Sequence, residues 1–181
     1  MKSNTLFGSL LLASALFIAG CTSTPPVSAD VKDNAEKALS SAGLTTVTIA
    51  QDRDKGVLTL SGNVATEADK QKAADAVKTV SGTYVIANEI GVRPEGFAKE
   101  ATKIDSSLDT AIEKNFEAIM VAQKLVKNVK YESKNSVLTL TGEVNSQSKR
   151  SDVERMAAGV PNVKQVVNNL QVKGQKATST M

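Results

Sequence analysis

Apolar and polar residues alternate in short runs along the middle of the chain, and the pattern occurs twice. Residues 57–62 read VLTLSG, and residues 137–142 read VLTLTG, 80 positions later. Apolar and asparagine residues farther along the chain recur at the same offset. A spacing kept over this length indicates two copies of one structural unit. The pattern therefore predicts two tandem modules, module 1 at residues 30–92 and module 2 at residues 104–173.

The elements of one module can be predicted from its periodicity. In module 1, apolar residues at helical spacing from Val31 to Ala42 predict a helix that ends before Gly43. Residues 45–51 alternate between apolar and polar, which predicts a half-buried strand. A polar turn then leads into the strand at residues 57–61, so we expect a hairpin. A second helix and a third strand follow in both copies.

The element order in each module is helix, strand, strand, helix, strand. A strand that follows a crossover helix returns parallel to its neighbour with a right-handed connection. We therefore predict an α+β fold with two tandem small α-β-β-α-β modules, each a three-stranded mixed sheet with two helices on one face. Leu58 and Leu60 should face the helices. The opposite face should be exposed to solvent and carries Thr46, Thr48, Thr59 and Ser61.

Two glycines recur at the end of the repeated hexapeptide. Gly62 and Gly142 precede the turn into the second helix of their modules. A positive φ or a close approach of the backbone is expected there, because glycine alone adopts both without strain. We predict a structural role in the turn for both residues.

The N-terminal residues resemble a lipoprotein signal sequence. A single lysine precedes an apolar run too short to span a bilayer, and the run ends in Ile18-Ala19-Gly20-Cys21. This ending resembles the bacterial lipobox, which implies cleavage before Cys21 and acylation of its thiol and new terminus. We expect a signal peptide at residues 1–20 and a lipidated tether at residues 21–29.

The remaining segments are polar and lack periodicity. Residues 93–103 contain Pro94 and Gly96, and this stretch is predicted to be a linker between the modules. Residues 174–181 are predicted to be a disordered tail.

The composition argues against several classes of chemistry. Histidine is absent, and the one cysteine is expected to carry lipid. The commonest general base, thiolate nucleophiles and thiolate metal sites are therefore missing. Carboxylates are scattered without supporting ligands, so we expect no metal and no cofactor. Aromatic residues make up only 3% of the chain, and stacking platforms for nucleic acid are not expected. The chain is predicted not to be an enzyme.

The first helices of the two modules differ at the offset of 80. Polar residues of module 1 occupy positions 28, 32, 36 and 40, which are Ser28, Lys32, Glu36 and Ser40. Apolar residues stand 80 positions later, namely Leu108, Ile112, Phe116 and Met120. This apolar stripe exceeds what a single module needs, so it is a candidate interaction surface. Packing against module 1 is the alternative interpretation. The helix is expected to begin near Asp105 and to run about 20 residues.

Charge adds to this candidate surface. Residues 30–92 hold seven basic and nine acidic side chains, whereas residues 104–181 hold eleven basic and eight acidic ones. Lysines follow the apolar stripe directly, at Lys124, Lys127 and Lys130. A basic apolar helix is typical of proteins that bind anionic lipid surfaces. A solvated basic face with no ligand is the alternative.

The repeated pattern resembles a known family. The motif V-x-L-x-G-x-V, a polar-capped helix and then GVPNVKQVVNNLQV at residues 159–172 are similar to the BON domain, named for bacterial osmotic-stress and nodulation proteins. Two such modules behind a lipobox resemble the dual-BON outer-membrane lipoproteins. The resemblance implies a non-catalytic envelope lipoprotein, anchored in the outer membrane and facing the periplasm, that binds anionic phospholipid and supports membrane integrity or stress tolerance. An adaptor that binds another envelope protein is the alternative function.

Overall fold

A computed structural model of the chain describes residues 29–125 and 128–174. Within these ranges the two modules have the predicted α+β architecture. Module 1 consists of α1 (Lys32–Ser41), β1 (Val47–Asp52), β2 (Val57–Val64), α2 (Glu67–Lys78), β3 (Val85–Asn88) and β4 (Gly91–Val92). Module 2 consists of α3 (Ala98–Ala122), β5 (Val129–Lys134), β6 (Val137–Val144), α4 (Gln147–Ala158) and β7 (Gln165–Val172).

Both sheets are mixed and have the same topology. β2 lies between β1, which is antiparallel to it, and β3, which is parallel to it. β4 continues alongside β2 after a short break, whereas the equivalent β7 is continuous and pairs with β6 over its full length. The predicted hairpin and parallel crossover are therefore confirmed in both modules.

The helices of each module cover one face of its sheet. In module 1, Leu58 and Leu60 are fully buried beside Leu39 of α1 and Val77 of α2. Each fully buried side chain of this size stabilises the fold by about 1.5–3 kcal/mol relative to an exposed one. The expectation that the leucines of the repeated hexapeptide face the helices is confirmed.

The opposite face of the sheet is not uniformly exposed, and this part of the prediction is wrong. Thr46 and Thr48 are exposed, but Thr59 and Ser61 are half-buried. The reason is a contact between the modules that the periodicity of one module cannot show. Four small aliphatic residues from these faces pack into one buried cluster, which consists of Val57, Ala87, Val137 and Val167.

The repeated glycines lie within strands β2 and β6. Gly62 has a φ of +115° and Gly142 a φ of +114°. A Cβ on either residue would collide with a carbonyl oxygen of the preceding segment, that of Thr46 or that of Asn128. Both glycines are thus required by the positive φ and by the close backbone approach that the sequence predicts. They lie inside the strand rather than at its end.

The helix α3 is longer than predicted. It begins at Ala98 and not near Asp105, and it has 25 residues. Six of the residues assigned to the linker, 98–103, are therefore helical. No proline or glycine stands between Phe97 and Gly142, so nothing in the local sequence stops the helix from extending toward its N-terminus.

Candidate functional surfaces

The apolar stripe of α3 is part of the core of module 2. Ile112, Phe116 and Met120 are each 0% exposed, and Leu108 is half-buried beside the same cluster. The ring of Phe116 stands edge-on to that of Tyr131, with 5.1 Å between the ring centroids. The hypothesis that this stripe forms an interaction surface is therefore wrong, because three of its four side chains have no contact with solvent. The alternative of packing against module 1 is also wrong, since the stripe fills the interior of its own module.

The error has a physical cause in the lengths of the two hairpin loops. Four residues separate β1 from β2, whereas two separate β5 from β6. Val47 pairs with Gly62, and Val129 pairs with Gly142, so the first strands are related by an offset of 82 and not 80.

The first helices are related by an offset of 81. The N–H of Leu44 donates to the carbonyl of Leu39, and the N–H of Leu125 donates to that of Met120. The true equivalents of Ile112, Phe116 and Met120 are therefore Val31, Ala35 and Leu39, which are also apolar. Lys32, Glu36 and Ser40, the polar residues used in the comparison, lie one position away on another face of the helix, and Ser28 lies outside the described residues.

Two of the three predicted lysines lie in the described part of the chain, on different elements. Lys124 is exposed just beyond the C-terminus of α3, and Lys130 is exposed on β5. Lys127 lies outside the described residues. So do Cys21, the signal peptide, nearly all of the tether and nearly all of the predicted tail.

The outer face of α3 carries a different apolar line, which the sequence analysis missed. Phe97 and Ile104 are each 66% exposed, and Ala111 and Ala118 are also exposed. These residues are seven positions apart, which is about two helical turns, so they follow one line along the helix. We call these four residues the outer line of α3. The signal was available in the sequence, but its first part fell in the predicted linker.

Basic residues accompany the outer line. Lys99, Lys103 and Lys114 are exposed on one flank of the helix, and Glu100 stands among them. Lys103 and Ile104 also line a shallow hollow of about 400 Å³. Phe97 and Ile104 thus place two large exposed apolar side chains beside basic ones near the N-terminus of α3, and Val121, 57% exposed, is a further one near its C-terminus.

An acidic residue of α3, Asp109, holds the helix to the β5–β6 hairpin. Asp109 accepts three hydrogen bonds, from the hydroxyl of Ser133 and from the backbone N–H groups of Asn135 and Ser136, at 2.8–2.9 Å. Asn135 and Ser136 have positive φ and form the tight turn between β5 and β6. This carboxylate therefore stabilises a strained turn, which is a structural role.

A second polar surface lies between the modules. Gln165 of β7 bonds to β3: its Oε1 accepts from the N–H of Asn88, and its Nε2 donates to the carbonyl of Ile86. Lys134 forms an ion pair with Glu89 at 3.1 Å. Beside these contacts is a groove of about 670 Å³, lined from module 1 by α2 and β3 and from module 2 by the β5–β6 turn and the start of β7. We call it the intermodule groove.

The described ranges contain neither a metal-type cluster nor a membrane-spanning helix. No group of three or more acidic, histidine or cysteine side chains there is arranged to hold a metal ion. No helix in those ranges combines the length and the apolar character needed to cross a bilayer.

The chain belongs to the BON domain family. The family model matches residues 27–94 and 108–174, which correspond to the two modules. The chain is similar to osmotically-inducible protein Y of Escherichia coli (strain K12), with 34% identity over 122 residues. The match covers 66% of this chain and 59% of that protein, so the chain spans about three fifths of the length of this curated relative.

Two solved structures are also similar to the chain. Both are of CdsD, described as a structural protein of the type III secretion system of Chlamydia trachomatis, and one is its C-terminal domain. They share 14% and 15% identity with this chain, cover 79% and 81% of it, and match over 97% and 94% of their own lengths. The TM-score is 0.34 for each, and a likeness this low has no weight for function.

Proposed function

We propose that the protein is a non-catalytic lipoprotein of the cell envelope that docks on anionic phospholipid through the outer line of α3. In this role it supports outer-membrane integrity or tolerance of envelope stress. The observation that carries the proposal is the exposure of Phe97, just before α3, and of Ile104 on α3, beside Lys99, Lys103 and Lys114. The curated relative's name, osmotically-inducible protein Y, favours a role in osmotic stress.

The energetics of this surface suit a bilayer interface. Burial of Phe97 and Ile104 in the acyl boundary contributes about 1.5–3 kcal/mol for each side chain. Each lysine near an anionic surface adds about 1 kcal/mol. These amounts are sufficient for reversible binding, and a lipid on Cys21 would make it durable by keeping the modules at high local concentration near the membrane.

The proposal is tested by co-sedimentation with vesicles. The mature chain carrying Cys21→Ser, which removes the lipid, is mixed with vesicles of phosphatidylcholine alone or of phosphatidylcholine with phosphatidylglycerol. We expect binding only to the anionic vesicles. The double variant Phe97→Ser/Ile104→Ser should bind at least about tenfold more weakly, because two apolar anchors are lost.

A matched control is available on another element. Val85 is 50% exposed on β3, so Val85→Ser removes an exposed apolar side chain without touching α3. It should bind anionic vesicles like the parent chain. Equal binding to both kinds of vesicle, or equal losses for the double variant and the control, would contradict the proposal.

An adaptor function is the second candidate, and the hollow beside Ile104 favours it. A hollow lined by Leu108 and Ala111 can receive one apolar side chain of a protein partner. Crosslinking in cells from position 104 would then trap one defined envelope protein in place of lipid.

A further inference from the structure

The base of the intermodule groove contains a buried cation. Lys70 of α2 is only 8% exposed, and it is one of the residues that line the groove. No carboxylate in the described ranges lies within 4 Å of its ammonium, and no hydrogen bond joins that ammonium to a side chain or carbonyl there. Lysine is almost never buried without a partner, because removing an ammonium from water is costly.

None of the neighbouring acids forms an ion pair with Lys70. Glu67 lies 3.9 Å from Lys164, and because both side chains are about two thirds exposed this pair is weak and leaves Lys164 able to bind another anion. Asp105 forms an ion pair with Arg93. Asp109 accepts its three hydrogen bonds from the β5–β6 turn. These carboxylates act on Lys70 only from a longer range, and burial lowers the pKa of Lys70 below its usual value. The groove therefore lacks a counter-charge at its base.

Two more lysines line the same groove from its rim. Lys78 belongs to α2 of module 1, and Lys164 precedes β7 of module 2. The acidic residues of the lining are Glu67 and Asp75, so basic groups are in excess. Arg150 occupies the position of Lys70 in module 2; its Nη2 donates to the carbonyl of Asn168 at 3.1 Å, whereas its buried Nε has no hydrogen-bond partner in the described ranges. The cation of module 1 differs because it faces an open groove.

We propose that the intermodule groove is a binding site for a phosphate-bearing anion, held by Lys70 at its base and by Lys78 and Lys164 at its rim. A phosphate group offers several oxygens to separate ammonium groups, and lysine binds it as a point charge. The groove is larger than one phosphate group, so the ligand is a phosphate ester, either free or as a phospholipid headgroup. Because Lys70 and Lys164 come from different modules, the bound anion stabilises their packing.

The test is calorimetric titration of the unlipidated chain with sn-glycerol 3-phosphate. Lys70→Met keeps the apolar stem and removes the charge, and it should weaken binding at least tenfold. Lys164→Met should also weaken it, whereas Lys72→Met, on the same helix but outside the groove lining, should not. Without ligand, Lys70→Met should leave the melting temperature unchanged or higher, because burial disfavours the charged form of Lys70 and an apolar side chain of similar length avoids that cost.

A vesicle arm separates the two sources of phosphate. If only phosphatidylglycerol vesicles bind, and Lys70→Met weakens that binding, the ligand is a headgroup. The double variant Phe97→Ser/Ile104→Ser leaves the groove intact, so it should still bind sn-glycerol 3-phosphate whether or not α3 docks on membranes. The proposal is overturned if the parent chain binds neither sn-glycerol 3-phosphate nor the phosphatidylglycerol vesicles. It is also overturned if Lys70→Met binds both as tightly as the parent chain, or if Lys72→Met loses as much affinity as Lys70→Met.

Discussion

The residue that follows the first helix has a left-handed backbone in both modules, but its side chain differs. Gly43 follows α1 with a φ of +75°, and Lys124 follows α3 with a φ of +56°. Both N–H groups donate to carbonyls in the last turn of the preceding helix. Module 2 therefore makes the same helix C-terminus as module 1 with a residue that is strained in the left-handed region.

This equivalence predicts a stabilising substitution. Lys124→Gly should raise the free energy of unfolding of module 2 by about 0.5–1 kcal/mol, because glycine adopts a positive φ without strain. Chemical denaturation measures the change. Gly43→Ala should have the opposite effect in module 1 and cost about 1 kcal/mol. A loss of stability in Lys124→Gly would show that its side chain makes contacts that outweigh the strain.

At the scale of one element, α3 has two faces of different character. The inner face fills the core of module 2 with Ile112, Phe116 and Met120, and it binds the β5–β6 turn through Asp109. The outer face presents the outer line with its flanking lysines. Because α3 begins at Ala98, the outer line extends along the whole helix, as the proposed docking on a membrane requires.

Replacing a phenylalanine by alanine should change the stability of the protein strongly on the inner face of α3 and very little at the outer line. Phe116→Ala should destabilise the protein by about 3–5 kcal/mol, because it leaves a cavity in a fully buried site. Phe97→Ala should change the free energy of unfolding by less than about 0.5 kcal/mol, because the ring is mostly exposed. Thermal or chemical unfolding would compare the two variants. A small effect of Phe116→Ala would contradict its assignment to the core.

At the scale of the whole molecule, module 2 covers polar backbone groups of module 1. Val85 donates its N–H to Gly56, just before β2, and Glu89 donates its N–H to Leu60 of β2, so the N–H of Asn88 and the carbonyl of Ile86 point to the free edge of β3. The side-chain amide of Gln165 bonds to both groups and so takes the place of a neighbouring strand. Covering an edge in this way removes a site for unwanted pairing with other chains.

The edge contact can be measured by hydrogen exchange. Gln165→Leu should speed exchange of the Asn88 amide by about fivefold, since a net hydrogen bond contributes about 1 kcal/mol. Gln171→Leu alters an exposed residue on the same strand and should leave Asn88 unchanged. Unaltered protection in Gln165→Leu would mean that the modules cover this edge without the glutamine.

Local sequence determined the modules, their element order and the faces of their central strands. Alternation with period two placed Leu58 and Leu60 in the core, and the repeated glycines marked a backbone that no other residue fits. The helices, strands and turns depend on residues close in the chain, and the core-facing side of each central strand depends on burial within one module. The sequence of one module is therefore sufficient to predict them.

Which apolar residues are buried and which are exposed to solvent was decided only by the tertiary structure. The hairpin loop is two residues shorter in module 2, and the loop between the first helix and the first strand is one residue longer, so the first helices are related by an offset of 81. The comparison that made Phe116 a surface residue was therefore one position out. The contact of Val57 with Val137, and the groove around Lys70, join residues from different modules. Helical spacing gives the separation of apolar residues along one element, but burial depends on which other element packs against them.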